Sequence, residues 1–294
     1  MLVTKPGIYP DVDFNEYLAD VCPDASLNAS IAKVLIEQSP RHAWHAHPRL
    51  NTRWEQREDK KFDVANVAHT LLLGRGKKFV AAPFDAWTTK ASKSFRETAQ
   101  LAGQIAVLDK HLDLARAMVS AAVAQLTEQG CPEAFGRING KAEVMVVGQQ
   151  ETIWLRCLID WISNDLLHVY DYKTTKGSAS PAAIEYKMVE DGWDIQAAMQ
   201  EKVLDVADPV GAGHRHWRFV LQEAYEPFAL TVAELPETVM DMGRRKLGTA
   251  IDKWSQCIKS GKWPSYSEGV VRPLYPTFKE QQWVNREVDS ENGQ

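Results

Sequence analysis

Two aspartates and a lysine stand close together in residues 155–175, which read LRCLIDWISNDLLHVYDYKTT. Asp160 lies near the end of one strand-like apolar run, and Asp171 and Lys173 lie near the end of a second. Successive side chains of a strand alternate faces, so Asp171 and Lys173 point to one side. The polar turn Ser163-Asn164-Asp165 lets the two runs pair as a hairpin, which brings Asp160 toward them. Two acids beside a lysine at the end of an apolar sheet cost stability unless something binds there, and a divalent cation would offset that cost. The blander reading is a pair of ion pairs at a sheet end.

Hydrolysis of a phosphodiester is the chemistry such a group supports. A water must be activated, the charge on phosphorus stabilised and the leaving oxygen helped away. Hard oxygen ligands suit Mg²⁺. Asp160 and Asp171 supply them, and the backbone carbonyl of Tyr172 can add another. Lys173 then orients the water or stabilises the transition state as a compact charge. Glu143 is a further acid in a β-rich run, either outward and solvated or inward and part of the site. His69 lies beside a helical apolar stripe. Taken alone it reads as a structural histidine; as a nitrogen ligand it would favour Mn²⁺ more than an all-oxygen site does.

The elements that must position these groups follow from periodicity and punctuation. Residues 142–147, 152–161 and 166–173 read as three strands of an antiparallel meander. Ahead of them, a helix capped near Ser26 or Asn28 must end before Pro40. Residues 60–73 read as a helix with Phe62, Ala65, Ala68, Leu71 and Leu72 inward, ended by Gly74 and Gly76. Residues 80–93 read as loop, and Ser94 with Glu97 reads as a capping box. Leu108, Leu112, Ala115, Val119, Ala122 and Leu126 follow helical spacing up to Gly130. After the meander, Ser180-Pro181 opens a helix and Asp194 caps another. Residues 217–224 and 228–233 read as strands, and a long helix runs from Pro236 to about Lys259. The segment after Trp283, NREVDSENGQ, is expected to be disordered.

Composition narrows the class. With 294 residues and 45% hydrophobic content the chain can bury a sizeable core, and no apolar run is long enough for a membrane helix. The first residues do not resemble a signal peptide, so the expected compartment is the cytoplasm. Cys22, Cys131, Cys157 and Cys257 are widely spaced, which argues for free thiols rather than a zinc site. His42, His45 and His47 lack a fourth ligand and read as surface or DNA-facing. The net charge of −5 does not advertise nucleic-acid binding, so any such surface must be local. Basic clusters occur at Lys60-Lys61, at Arg75 with Lys77-Lys78, at Lys90 with Lys93 and Arg96, and at Arg244-Arg245-Lys246. Lys90, Lys93 and Arg96, together with Thr174 and Thr175, are the candidate DNA contacts. No internal repeat or linker divides the chain. One domain is expected: a mainly helical portion at 1–135, a catalytic core at 136–265 and an extension at 266–294.

Asp160 followed by Asp171-Tyr172-Lys173 resembles the PD-(D/E)XK nuclease motif, with Ile159 where the pattern often has proline. The segments PGIYPDVDFNEYLAD, SPRHAW, VAHTLLLG, RCLIDWI, YDYKTT, DIQAAM and GKWPSY, in that order, resemble the exodeoxyribonuclease VIII (RecE-like) nuclease family. That family resembles RecB-type nucleases, whose pattern adds a histidine on an N-terminal helix and a glutamine on the helix after D-x-K. His69 and Gln196 occupy those places. The resemblance implies an α/β fold with a restriction-endonuclease-like core, a central mixed β-sheet flanked by helices. It raises His69 to a metal ligand and gives Gln196 a role on DNA or on the lysine, while Glu143 carries over less firmly. Gln200 stands where such patterns often have tyrosine, and the cysteines of an iron–sulfur cluster are missing, so no cluster is expected. The implied activity is a Mg²⁺-dependent 5′-to-3′ exonuclease on linear duplex DNA in phage-type recombination, with Mn²⁺ able to substitute. Implied partners are DNA ends, a single-strand annealing protein and further copies of the chain in a ring. The competing readings are a single-strand or structure-specific nuclease on the same core, and a catalytically weak DNA-binding module.

Overall fold

The structure is a computed structural model that describes residues 3–55, 64–76, 78–267 and 269–291. In chain order its elements are β1 (Gly7–Tyr9), α1 (Phe14–Ala19), α2 (Ala29–Glu37), α3 (Pro40–Ala46), α4 (Val64–Leu73), β2 (Phe79–Ala82), α5 (Lys90–Leu101), β3 (Ile105–Leu108) and α6 (Asp109–Glu128). There follow β4 (Gly140–Gln150), β5 (Ile153–Ser163), β6 (His168–Thr175), α7 (Pro181–Asp191), α8 (Trp193–Ala207), β7 (His216–Glu223), β8 (Leu230–Glu234), α9 (Glu237–Ser260) and α10 (Thr277–Glu291).

The expected meander is present: β4, β5 and β6 pair antiparallel. They form the centre of a six-stranded mixed sheet in the order β1-β4-β5-β6-β7-β8. β7 lies parallel to β6, which requires a crossover, and α7 with α8 supplies it. β8 returns antiparallel to β7, and β1 closes the other edge against β4.

Helices cover both faces. On one, Leu35, Trp193, Met199, Leu247 and Trp254 of α2, α8 and α9 pack on Val146, Leu155, Ile159 and Phe219. On the other, Leu72, Ala122 and Leu126 of α4 and α6 pack on Trp161, Tyr170, Tyr172 and Val220. Among the described residues, no helix is long and apolar enough to cross a membrane.

Several expectations need correction. Residues 80–93 are not all loop: β2 pairs parallel with β3 in a separate two-stranded sheet. Each strand is four residues long, too short to show a period, and the pairing joins distant parts of the chain. The capping box at Ser94 is absent, because α5 starts four residues earlier behind Thr89, whose hydroxyl accepts the Ser92 N–H at 3.1 Å. Pro40 does follow the end of α2, but it also opens α3 as its first residue. Gly192, not Asp194, is the N-cap of α8. The C-terminal segment expected to be disordered carries α10, with side-chain pairs at i, i+4 between Gln281 and Asn285 and between Trp283 and Glu287. Phe62, Lys60, Lys61 and Lys77 lie outside the described residues.

Candidate active site

The β-ladder breaks where the carboxylates stand. Ala142 pairs with Trp161 and Val144 with Ile159, but Glu143 and Asp160 between them are left out of the ladder. Glu143 adopts φ +50°, a left-handed conformation that a strand does not use. The pleat changes phase there. Leu155, Cys157 and Ile159 face the α8–α9 layer in regular alternation, whereas Trp161, next in that series, packs into the α4–α6 layer. On the other side, β5 and β6 pair only through Trp161–Tyr170 and Ile162–Val169. The strands part at the next position, which is Asp160 opposite Asp171. The Tyr172 N–H, released from the ladder, donates to Asp160 Oδ2 at 3.0 Å.

Two helices reach this fork from opposite faces. From α4, His69 Nε2 lies 3.3 Å from Asp160 Oδ2. From the first turn of α8, Gln196 Nε2 donates to Asp171 Oδ2. Lys173, on the same face of β6 as Asp171, places Nζ 2.5 Å from Asp171 Oδ1. The oxygen Oδ1 is buried, and this ion pair with the lysine is its partner. Glu143 shares a cleft of about 350 Å³ with His69, Thr70, Gly76, Phe79 and Asp160, so it faces the site.

The electrostatics mark Asp171 as the strained member. Burial and the neighbouring Asp160 push its carboxyl up to about 6, against the pull of Lys173. Burial acts on Asp160 in the same direction, but the hydrogen bond and charge of His69, with Lys173 and the Tyr172 N–H, hold it below the usual range. Burial would lower His69, yet Asp160, Asp171 and Glu143 raise it. Burial also raises Glu143, with His69 and Arg75 opposing. Lys173 is raised by Asp171 and Asp160 despite its own desolvation.

Among the described residues, no three His, Cys, Asp or Glu side chains converge as a ready-made cation site. The acids are instead turned onto His69, Lys173, Gln196 and the Tyr172 N–H. The donor chemistry fits a hard divalent cation all the same. Two carboxylates crowd at a strand fork, burial and the Asp160 charge both press on Asp171, and an imidazole and a third acid border them. Asp160, Asp171 and His69 are the side chains that would hold such an ion.

Other expected residues fall elsewhere. Lys90, Lys93 and Arg96 are exposed on α5 and line none of the three clefts around the site; Arg96 stacks over Trp87. Thr174 and Thr175 end β6 half-buried, and Thr175 Oγ1 accepts the Gly177 N–H at 3.0 Å. The three histidines of α3 and its end form no metal cluster. His42 bonds Ser39 Oγ, and His47 is not surface or DNA-facing but fully buried, its Nε2 3.0 Å from the Ser26 carbonyl. Reading the sequence missed Gln222, a buried amide in an apolar run. It accepts from the Tyr172 hydroxyl and donates to the carbonyls of Met118 at 2.9 Å and Phe228 at 3.2 Å, fixing the strand behind the site to α6. Arg137, which no local pattern singles out, lines a neighbouring cleft with Arg75, Gly76 and Lys78.

Comparison with known proteins bears on the fold and on the family. The crystal structure of a protein from Eubacterium rectale described as "Putative exonuclease" superposes with a TM-score of 0.55 and 10% sequence identity, covering 87% of this chain and 92% of that one. At that identity the likeness is one of fold, and it agrees with a restriction-endonuclease-like core. No curated protein matches the chain significantly. The family model for the PDDEXK-like domain of unknown function (DUF3799) matches residues 30–271, which include His69, Glu143, Asp160, Asp171, Lys173 and Gln196. The chain therefore belongs to that PDDEXK-like family.

Proposed function

We propose that the protein is a divalent-metal-dependent nuclease that degrades linear duplex DNA from its ends. The observation that carries the nuclease reading is the strand fork, where Asp160 and Asp171 stand beside Lys173 with His69 and Gln196 on flanking helices. Mg²⁺ bound there would polarise the scissile phosphate and acidify a water. Asp160 and Asp171 hold the charge that such an ion neutralises. Lys173, released from Asp171, places its ammonium beside the attacking water or the developing phosphorane charge. Gln196 keeps Asp171 turned into the fork, and the Tyr172 N–H does the same for Asp160.

The finer reading, 5′-to-3′ resection for phage-type recombination, rests on the likeness to the exodeoxyribonuclease VIII family, as do a ring of copies and an annealing partner. The test is digestion of end-labelled linear duplex and covalently closed circles, with Mg²⁺ present or chelated. Loss of label from linear duplex only, and only with Mg²⁺, is the expected result. Cleavage of closed circles would move the assignment to an endonuclease on the same core. An inert protein in Mg²⁺ and in Mn²⁺ would leave a DNA-binding module.

A further inference from the structure

We infer that Arg75, Lys78 and Arg137 form a phosphate-binding rim that holds the backbone of the DNA strand entering the carboxylate fork. This rests on the nuclease reading above and names a part of the site that the motif does not include.

The clefts around the fork are contiguous. The one bordered by His69, Glu143 and Asp160 shares Thr70, Gly76 and Phe79 with a second of about 370 Å³, lined by Arg75, Lys78, Gln104 and Arg137. A third, of about 680 Å³, shares Arg75, Gly76, Lys78 and Gln104 with the second and Glu143 with the first. Asp160 and Glu143 are half-buried in the first cleft, and Lys78 and Arg137 are exposed in the second. A polyanion approaching the fork meets these exposed cations before the carboxylates, and its phosphates need positive charge there to overcome repulsion from Asp160, Asp171 and Glu143.

These cations are available. Lys78 and Arg137 are exposed and have no ion-pair partner among the described residues. Other arginines are engaged: Arg244 by Glu201, Glu237 and Asp241, Arg215 by Asp205 and Asp208, and Arg218 by Glu234. Arg137 is also held in place. Its guanidinium lies against Gly74, the left-handed residue that ends α4, where an added Cβ would come within 2.4 Å of Nη2. Arg75 is pinned by Nη1 to the carbonyls of Pro10 at 2.6 Å and Ala142 at 3.4 Å, which sets its charge between the rim and Glu143. A purely structural role for Arg137, neutralising the carbonyl end of α4, is the competing explanation.

The test is binding of a fluorescent linear duplex to the full chain in EDTA, across a KCl series, for wild type, Lys78→Ala/Arg137→Ala and the control Lys259→Ala/Lys262→Ala, whose side chains are exposed at the end of α9. Each phosphate contact removed lowers the slope of log affinity against log salt by about 0.9. The rim variant should lose about 1.8 from the slope and at least about tenfold in affinity at low salt. The control should keep the wild-type slope. Melting curves identify a folding defect; if the double variant unfolds, Lys78→Gln and Arg137→Gln singly should each lose about 0.9. An unchanged slope in a folded rim variant, with wild-type cleavage in Mg²⁺ intact, overturns the rim and leaves the nuclease. A reduced slope with no wild-type cleavage supports the rim and overturns the nuclease. Wild type that does not bind duplex in EDTA overturns the rim, and if it also fails to cleave in Mg²⁺ it overturns the nuclease as well.

Discussion

At the scale of single residues, the proposed nuclease chemistry separates groups that would act on the phosphate from groups that would aim them. Asp171→Asn removes a charge that burial and Asp160 already disfavour, so the variant should stay folded while the Mg²⁺-dependent rate falls by at least about 10². Single-turnover digestion and a melting curve check both halves, and full activity would refute the assignment. Lys173→Ala should lose a comparable factor while still binding Mn²⁺ by calorimetry, because the lysine is not a ligand. Gln196→Ala leaves Asp171 without its amide donor, and a drop of about 10- to 100-fold in activity or metal affinity is expected, the range seen when the group orienting a ligand is lost.

At the scale of elements, the fork depends on how α8 and β5 are seated. α9 lies directly on the first turn of α8: a Cβ on Gly243 would come within 2.1 Å of the Asp194 carbonyl oxygen. Gly243→Ala should push the helices apart, cost about 1–3 kcal/mol by denaturant unfolding, and lower activity through Gln196 two residues beyond Asp194. β5 is tied to the N-terminal segment by the buried Asp20. It pairs with Arg156 at 3.3 Å, lies 3.4 Å from His47, and accepts the Ser26 N–H at 2.8 Å. Burial would raise its carboxyl, but His47, Arg156 and Ser26 together hold it below the ordinary 3.8. A carboxyl lowered on folding contributes stability that is present above its unfolded value and lost as pH falls through the lowered one. Asp20→Asn should therefore destabilise the protein at neutral pH and flatten the acid limb of its stability profile, measured by urea unfolding between pH 2 and 7.

At the scale of the whole molecule, the C-terminal segment stands apart from the core. Residues 277–290 of α10 are exposed, Phe278 and Trp283 included. Among the described residues, the contacts that tie the chain beyond α9 to the body are Trp263 against Trp254, Pro264 to Arg41 and Tyr266 against His42. Truncation after Ser267 should leave the melting temperature unchanged. A marked fall would show that α10 packs on the body in solution.

The amino-acid sequence by itself determined much of this protein. Alternating apolar runs specified the meander, and D-x-K spacing put Asp171 and Lys173 on one face, because a strand's two-residue period is a local property. It also named His69 and Gln196, though only through resemblance, since their helices are far from β6 along the chain. What the tertiary structure decided is what depends on a departure from local period or on distant pairing. Strict alternation could not assign Glu143 a side; its left-handed backbone and the broken ladder opposite Asp160 turn it into the cleft. β2 and β3 were too short to see singly and exist by pairing with each other. Arg137 and Gln222 carry no motif, because one acquires its setting from the end of α4 and the other from α6 and β6. The two acids were legible from spacing, but the parting of β5 and β6 that leaves them together at a fork is a property of the assembled sheet.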